Sequence, residues 1–123
     1  MTPIETTAPF DAARFDAAAI ERDRADASRR DFADVDALVL PTLTARAPTI
    51  DEARLQGEQA VSPNNTFFCN YFGFPAMSVP AGELTEGVPF GLQFVGPRGA
   101  DQRILALAQA FHRQIAFQYH GPM

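Results

Sequence analysis

The side chains that could act as nucleophile or general base are few in this chain of 123 residues. A Ser–His or Cys–His pair must come within hydrogen-bond reach, with a third group orienting the base. No Gly-x-Ser-x-Gly turn surrounds any serine. A Ser–His hydrolase using Ser62 or Ser78 is therefore an alternative that only the fold could assemble. The full set of candidates is Ser28, Ser62, Ser78, Cys69, His112 and His120.

Residues 64–72, NNTFFCNYF, bring several hydrogen-bonding side chains into an aromatic stretch. Buried amides and hydroxyls must be paired. Asn64, Asn65, Thr66 and Asn70 therefore either clamp neighbouring backbone or line a polar pocket, and we favour backbone clamping. Cys69, which follows two phenylalanines, is interpreted as a buried apolar thiol.

Metal and nucleotide chemistry find little support in the sequence. Its lone cysteine and two histidines, spaced by 43 and 8 residues, match no zinc-ligand pattern, so we predict no metal site. The glycines of residues 96–99 lack the spacing of a phosphate-binding loop, and we predict no cofactor.

The cations are unusual because all ten are arginine, and the chain contains no lysine. A catalytic lysine is therefore excluded for this chain by itself. The formal net charge of −5 and the pI of about 4.8 oppose nucleic-acid binding, which depends on neutralising phosphates. The single cysteine, the missing signal peptide and the missing membrane span predict a cytoplasmic protein.

The first half of the chain predicts one helix, one strand and a long connection. Residues 1–9 are predicted to be a loose tail, and residues 10–123 a single domain. A helix is expected from Asp11, its N-cap, to about Asp31, with Phe10 and Phe15 as a hydrophobic staple. Its charged face suggests an i,i+4 ladder of Arg22, Asp26 and Arg30.

The apolar run at residues 37–40, closed by Pro41, predicts a strand buried on both faces. The connection at residues 42–65 is expected to hold a short helix near residues 51–59. Alternation in residues 90–95 predicts a strand that pairs with residues 76–79 in an antiparallel hairpin. A final helix is expected from Asp101, an N-cap, and the overall pattern is a mixed α/β arrangement. The apolar stripe of this helix comprises Ile104, Leu107, Ala108, Phe111 and Ile115.

Three blocks together carry a family resemblance: VDALVLPT (35–42), TFFCNYFGFPAMSVPAG (66–82) and GVPFGLQFVG (87–96). In this order and spacing they resemble the C-terminal third of the amidase signature family, which includes the A subunits of tRNA-dependent amidotransferases. The resemblance implies a fragment of an α/β/α sandwich with a mixed sheet. It makes residues 75–80 a strand pinned at its ends by Pro75 and Pro80, so Ser78 is scaffold. The other structural motif residues are Gly82, Gly91 and Gln93.

The resemblance also implies amide hydrolysis by a Ser–cis-Ser–Lys triad that lies upstream of the matched region. This chain has neither the lysine nor the glycine- and serine-rich segment. We therefore predict no catalytic residue here, and inactivity of the isolated chain. The residues expected to contribute a substrate-pocket wall are Asn64, Thr66, Phe67 and Asn70. Glutamine-using members carry an acid where Pro63 stands, which favours a general amide.

Two kinds of partner follow from this interpretation. The resemblance implies a missing N-terminal amidase portion, with a small amide bound only in the complete enzyme. The alternative is a standalone, non-catalytic module that forms homo-oligomers or binds a partner chain, since a sheet cut from a larger one exposes edges and apolar surface.

Overall fold

The computed structural model describes residues 15–84 and 87–118. The predicted tail at residues 1–9 lies outside these residues. Within these two ranges, four α-helices and three β-strands follow one another in the order α1, β1, α2, α3, β2, β3, α4. Their bounds are α1 Ala17–Asp31, β1 Leu38–Pro41, α2 Ile50–Gln56, α3 Phe67–Phe72, β2 Ala76–Glu83, β3 Pro89–Val95 and α4 Asp101–Ile115.

The first helix begins later than predicted. Asp16 caps it, since its Oδ1 accepts a hydrogen bond of 2.9 Å from the N–H of Ala19. Phe15 and Asp16 precede the helix, so Phe15 does not occupy the predicted N4 position; Phe10 and Asp11, the other residues of the predicted cap and staple, lie outside the described residues. The predicted end at Asp31 is confirmed.

The predicted ladder along α1 is replaced by other pairs. Asp26 pairs with Arg29, three residues on, and the guanidinium of Arg30 lies 2.8 Å from the carboxylate of Asp31. The i,i+3 spacing of Asp26 and Arg29 is as favourable on a helix as the predicted i,i+4 spacing, whereas Arg30 and Asp31 are adjacent residues at the end of α1.

The sheet has three antiparallel strands in the order β1-β3-β2. The predicted hairpin of β2 and β3 is confirmed, with Met77 opposite Phe94 and Val79 opposite Leu92. Alternate residues of β3 point to opposite sides of the sheet, and Gln93, Phe94 and Val95 at its C-terminal end are buried.

Two apolar clusters lie on the two faces of the sheet. Val95 joins Ala27 of α1, Cys69 of α3 and Phe74 on one face. Phe94 joins Val79, Ile104 and Ala108 on the other, where α4 packs. The protein is therefore layered helix–sheet–helix, as expected for a fragment of an α/β/α sandwich, although the sheet described here is antiparallel rather than mixed.

The expectation that β1 is buried on both faces is wrong. Leu38 and Leu40 pack against the cluster of α1 and α3, but Val39 is 52% exposed. The strand lies at an edge of the sheet and α4 does not cover it. One face of β1 is therefore open.

Pro80 lies within β2, so the expectation that it pins the end of the strand is also wrong. The carbonyl of Gly91, its partner across the pair, accepts from Thr42 N–H on the β1 side, so the Pro80–Gly91 pair has no hydrogen bonds between β2 and β3. The nitrogen of Pro80 therefore faces the outer edge of the sheet, where a missing N–H removes no ladder bond. A register shift follows between Pro80 and Gly82.

The long connection holds more structure than predicted. The expected short helix is α2, which opens with a capping box of Thr49 and Glu52 and continues as a 3₁₀ turn, Gly57–Ala60. Helix α3 was not predicted, because asparagine and aromatic residues are weak helix formers. Gly73, with φ of 69°, ends it in the left-handed conformation that glycine readily adopts.

The last helix is confirmed, with Ala100 rather than Asp101 at the N-cap. Ile104 and Ala108 are buried on the sheet, but Leu107 of the predicted stripe is 38% exposed. Among the described residues, no helix has the length and apolar character to cross a bilayer.

Candidate functional site

The four residues expected in a pocket wall lie around the first turn of α3. Thr66 is half-buried and its hydroxyl donates to the carbonyl of Pro63 at 3.2 Å. Asn64 and Asn70 are exposed, and Phe67 is 56% exposed. Thr66 and Asn70 are four residues apart and so share one side of the helix. The structure thus brings these side chains to one surface without joining them by mutual hydrogen bonds.

Asn65, which sequence reasoning left out of the site, attaches this segment to the sheet. Its Nδ2 donates to the carbonyl of Pro41 at 2.9 Å, and its own carbonyl accepts from Nε2 of Gln93 at 2.7 Å. Gln93 is the buried polar residue of β3, only 4% exposed. Backbone clamping, favoured from the sequence, is therefore what Asn65 and Thr66 do. A glutamine within the alternating pattern of β3 is the sequence signal that could have identified the partner of Asn65.

A pair of hydroxyls crosses the central strand on the same face of the sheet. Thr42 Oγ1 lies 2.5 Å from Ser78 Oγ, although β1 and β2 are separated by β3. The crossing is possible because Gly91 lies beneath it: a Cβ on Gly91 would lie 2.6 Å from the Ser78 oxygen and 3.0 Å from that of Thr42. The hydroxyl pair and the Asn65–Gln93 clamp together hold the ends of the long connection to the sheet.

The hydroxyl of Ser78 is bonded to Thr42 rather than to the described histidine, although both residues border the groove between β2 and α4. Ser78 points to the face of α1 and α3, whereas His112 lies on α4, across the sheet. The hydroxyl of Ser62 accepts from the N–H of Asn64 at 3.3 Å. His120 lies outside the described residues. Within residues 15–84 and 87–118, therefore, no Ser–His pair is assembled.

Arg24 of α1 holds the C-terminal end of α3 in place, and Arg98 of the loop after β3 pairs with α1. Arg24 donates from Nε to the carbonyl of Tyr71 at 2.6 Å and from Nη2 to that of Asn70 at 3.5 Å. Carbonyls at the C-terminal end of a helix carry partial negative charge, so a guanidinium there is favourable. The carboxylate of Glu21 accepts hydrogen bonds from Nη1 of Arg98 at 2.9 Å and from Nη1 of Arg24 at 3.2 Å.

The pKa shifts in the described residues move the pKa values of these groups further from pH 7. Hydrogen bonds from Arg98 and then Arg24 lower the pKa of Glu21. The Arg46 guanidinium and the Thr49 N–H lower the pKa of Glu52 to about 2. Burial raises the pKa of the Cys69 thiol, which keeps it protonated and confirms it as a buried apolar thiol. These shifts stabilise structure and do not prepare a general acid or base for neutral pH.

An apolar groove of about 660 Å³ runs along the outer edge of β2, between that strand and α4. Of its apolar side chains, Met77 is 38% exposed and Leu105 is 54% exposed. Among the described residues, α4 contributes no Asp, Glu or Arg side chain to its lining. The groove is lined by Met77, Ser78, Val79, Pro80, Gln102, Leu105, Ala106, Ala108, Gln109 and His112.

Comparison with known sequences finds the same family across most of the chain. The family model named Amidase matches residues 5–105. The chain is similar to the A subunit of the mitochondrial glutamyl-tRNA(Gln) amidotransferase from Bos taurus, with 35% identity over 86 residues, which are 68% of this chain and 16% of that protein. It is also similar to a fatty acid amide hydrolase from Arabidopsis thaliana, with 40% identity over 85 residues, 64% of this chain and 14% of that protein.

Solved structures agree with the sequences. A 6-aminohexanoate cyclic dimer hydrolase complexed with substrate superposes with a TM-score of 0.64 and 26% identity, over 89% of this chain and 27% of that one. An allophanate hydrolase from Kluyveromyces lactis gives a TM-score of 0.60 and 29% identity, over 88% of this chain and 18% of that one. The chain thus spans less than a third of the length of each of these four proteins. With the family model covering most of its residues, it belongs to the amidase signature family.

Proposed function

We propose that this chain supplies sheet scaffold and substrate-pocket wall to an amide-hydrolysing enzyme whose catalytic groups lie in a segment outside it. The observation that carries the proposal is the clamp between Gln93 and Asn65, which fixes the residues at the start of α3 relative to the sheet. A pocket wall must be held rigidly if it is to orient a substrate for attack.

The proposed division of labour follows from the side chains present. The family resemblance implies a lysine-dependent serine nucleophile, and the chain contains no lysine. The serine in its family motif, Ser78, donates to or accepts from Thr42 rather than a base. The nucleophile, the lysine and the oxyanion donors therefore belong to the other segment, and this chain positions the amide that they attack.

The proposed substrate is a small general amide rather than glutamine. Pro63 stands where glutamine-using relatives are expected to carry an acid, so the wall offers no carboxylate there. The exposed ring of Phe67 next to Asn70 provides apolar surface and an amide group, which suits a substrate with an apolar body and one polar amide. We assign the enzyme to the cytoplasm, where a lone free thiol is stable.

Complementation tests this proposal. The chain is co-expressed with an amidase-family protein truncated before the matched region, and hydrolysis of an aryl amide is measured for each half and for the mixture. The proposal predicts turnover only in the mixture. Asn70→Ala should raise KM in the complemented enzyme, whereas Glu58→Ala, on the exposed 3₁₀ turn, should leave KM unchanged. Turnover by the chain alone would contradict the division of labour.

A second candidate function is a non-catalytic module that self-associates or binds a partner chain. The open edge of β2 and the groove beside it favour this candidate. Both functions are compatible with the family, because each requires additional polypeptide to pack on the exposed part of the sheet.

A further inference from the structure

The outer edge of β2 carries a short, defined row of free backbone groups. The carbonyl of Pro75 accepts from Gly96 N–H, so the odd-numbered residues of β2 form its hydrogen bonds with β3. Ala76, Ser78 and Pro80 consequently point their backbone groups outward. Among the described residues nothing pairs with them, because β2 is the last strand of the sheet. The edge thus presents two N–H donors and three carbonyl acceptors.

We propose that this edge pairs with β2 of a second copy of the chain, antiparallel, about a two-fold axis through Ser78. The proposal rests on the second candidate function and on no amidase chemistry. In this register Ser78 faces Ser78 of the second copy and the two exchange both hydrogen bonds. Ala76 of each copy then donates to the carbonyl of Pro80 in the other. All four outward N–H groups find acceptors, and the missing N–H of Pro80 limits how far the pairing extends.

The side chains fit the same register. In the antiparallel pair, Met77 of each copy lies opposite Val79 of the other. The two-fold axis makes this contact twice, both times on the α4 face. A two-fold axis perpendicular to the sheet keeps both α4 helices on that face. The two apolar grooves then meet, and Leu105, now 54% exposed, is covered.

Charge opposes the dimer little, despite the net charge of −5. No Asp, Glu or Arg lies between residues 76 and 82, whereas natural edge strands that avoid pairing usually carry such charges. Beyond the bulge, Glu83 of one copy approaches Gly73 of the other. Arg98 lies there, with its Nε 3.7 Å from the position of a Cβ on Gly73. Arg98 already pairs with Glu21, so Glu83 of the other copy joins an existing ion pair at each end of the paired strands.

Oligomeric state tests the proposal. Sedimentation equilibrium of the full chain should show a monomer–dimer equilibrium, with a dimer of twice the 13.4 kDa chain mass. Ala76→Pro removes two intermolecular hydrogen bonds and no bond to β3, and should raise the dimer Kd about 30-fold. Ala76→Val keeps the donor and should leave the Kd nearly unchanged.

Crosslinking tests the register without the proline. In a Cys69→Ala background, Ser78→Cys should be joined into a covalent dimer by a short bis-maleimide. Ala76→Cys should not, since four residues of strand place the two thiols about 13 Å apart along the pair. A monomer at all concentrations overturns the proposal, as does a dimer insensitive to Ala76→Pro, or equal crosslinking at both positions. None of these readouts depends on amide hydrolysis, so the proposed amidase role can fail independently.

Discussion

The two faces of the sheet differ in how completely they are covered. On the face of α1 and α3, aromatic packing, arginine clamps and buried amide hydrogen bonds close the structure from the sheet outward. On the other face, α4 packs at Ile104 and Ala108 but leaves the edge of β2 and an apolar groove open. The closed face holds the proposed pocket wall in place. The open one is where further protein, from a second copy or another segment, has surface to cover.

The largest effect should come from the core of the closed face. Phe74 is 6% exposed and packs at 5.1 Å from Phe32 and 5.5 Å from Phe72, measured between ring centroids. Phe74→Ala should lower the free energy of unfolding by about 3–5 kcal/mol, because it leaves a cavity in the aromatic cluster. Chemical denaturation measures this. The matched control is Phe67→Ala, whose ring is exposed and should cost far less; equal losses would remove the distinction between cluster and wall.

The hydroxyl crossing should give the next largest effect. Gly91→Ala places a methyl group 2.6 Å from the Ser78 oxygen, so the Thr42–Ser78 bond must break or shift. We expect a loss of about 1–3 kcal/mol in unfolding free energy, typical of overpacking. In a Thr42→Ala, Ser78→Ala background the same substitution should cost much less. An unchanged cost in that background would show that the hydroxyls do not explain the glycine.

The clamp should be worth somewhat less. Gln93→Ala removes the 2.7 Å hydrogen bond to the carbonyl of Asn65 and leaves that partly buried carbonyl without this donor. A loss of about 1–2 kcal/mol is expected from an unsatisfied polar group, together with faster amide hydrogen exchange at the start of α3. Gln102→Ala, exposed on the open face, should alter neither measurement. Loss of stability without faster exchange at α3 would mean that Gln93 does not position the wall.

The smallest effect concerns the cap of α2, on the long connection. Since the folded-state pKa of Glu52 is about 2, below the ordinary range near 4.3, its ionised form stabilises the fold. That contribution is fully present above pH 4.3 and is lost as the pH falls towards 2. Glu52→Gln should flatten the dependence of stability on pH in this window only, as followed by thermal melts. If the pH dependence of stability were unchanged in the variant, it would come from other carboxylates and not from Glu52.

The elements with clear periodicity could be predicted from the sequence, and those set by neighbours could not. The alternation of residues 90–95 and the stripe of α4 led directly to β3 and to the last helix. Helix α3 escaped prediction because its stability comes from the sheet beneath it and from Arg24 at its end, not from its own residues. The position of Pro80 inside an edge strand depends on strand order, which no local pattern reveals.

The candidate site was foreseen in part for the same reason. The polar side chains near residue 65 were recognisable, and clamping was the favoured interpretation. Their partners, Pro41 and Gln93, are 24 and 28 residues distant from Asn65, so only the fold identifies them. The Thr42–Ser78 pair spans 36 residues and depends on the absence of a side chain at Gly91.

The most direct test of the central claim is an intact-mass measurement on the purified chain after incubation with an activated amide or ester. A chain that supplies only scaffold and wall should keep its mass of 13.4 kDa, while a complete amidase-family enzyme treated in parallel acquires the acyl group. An acyl adduct on any hydroxyl of the chain would contradict the account.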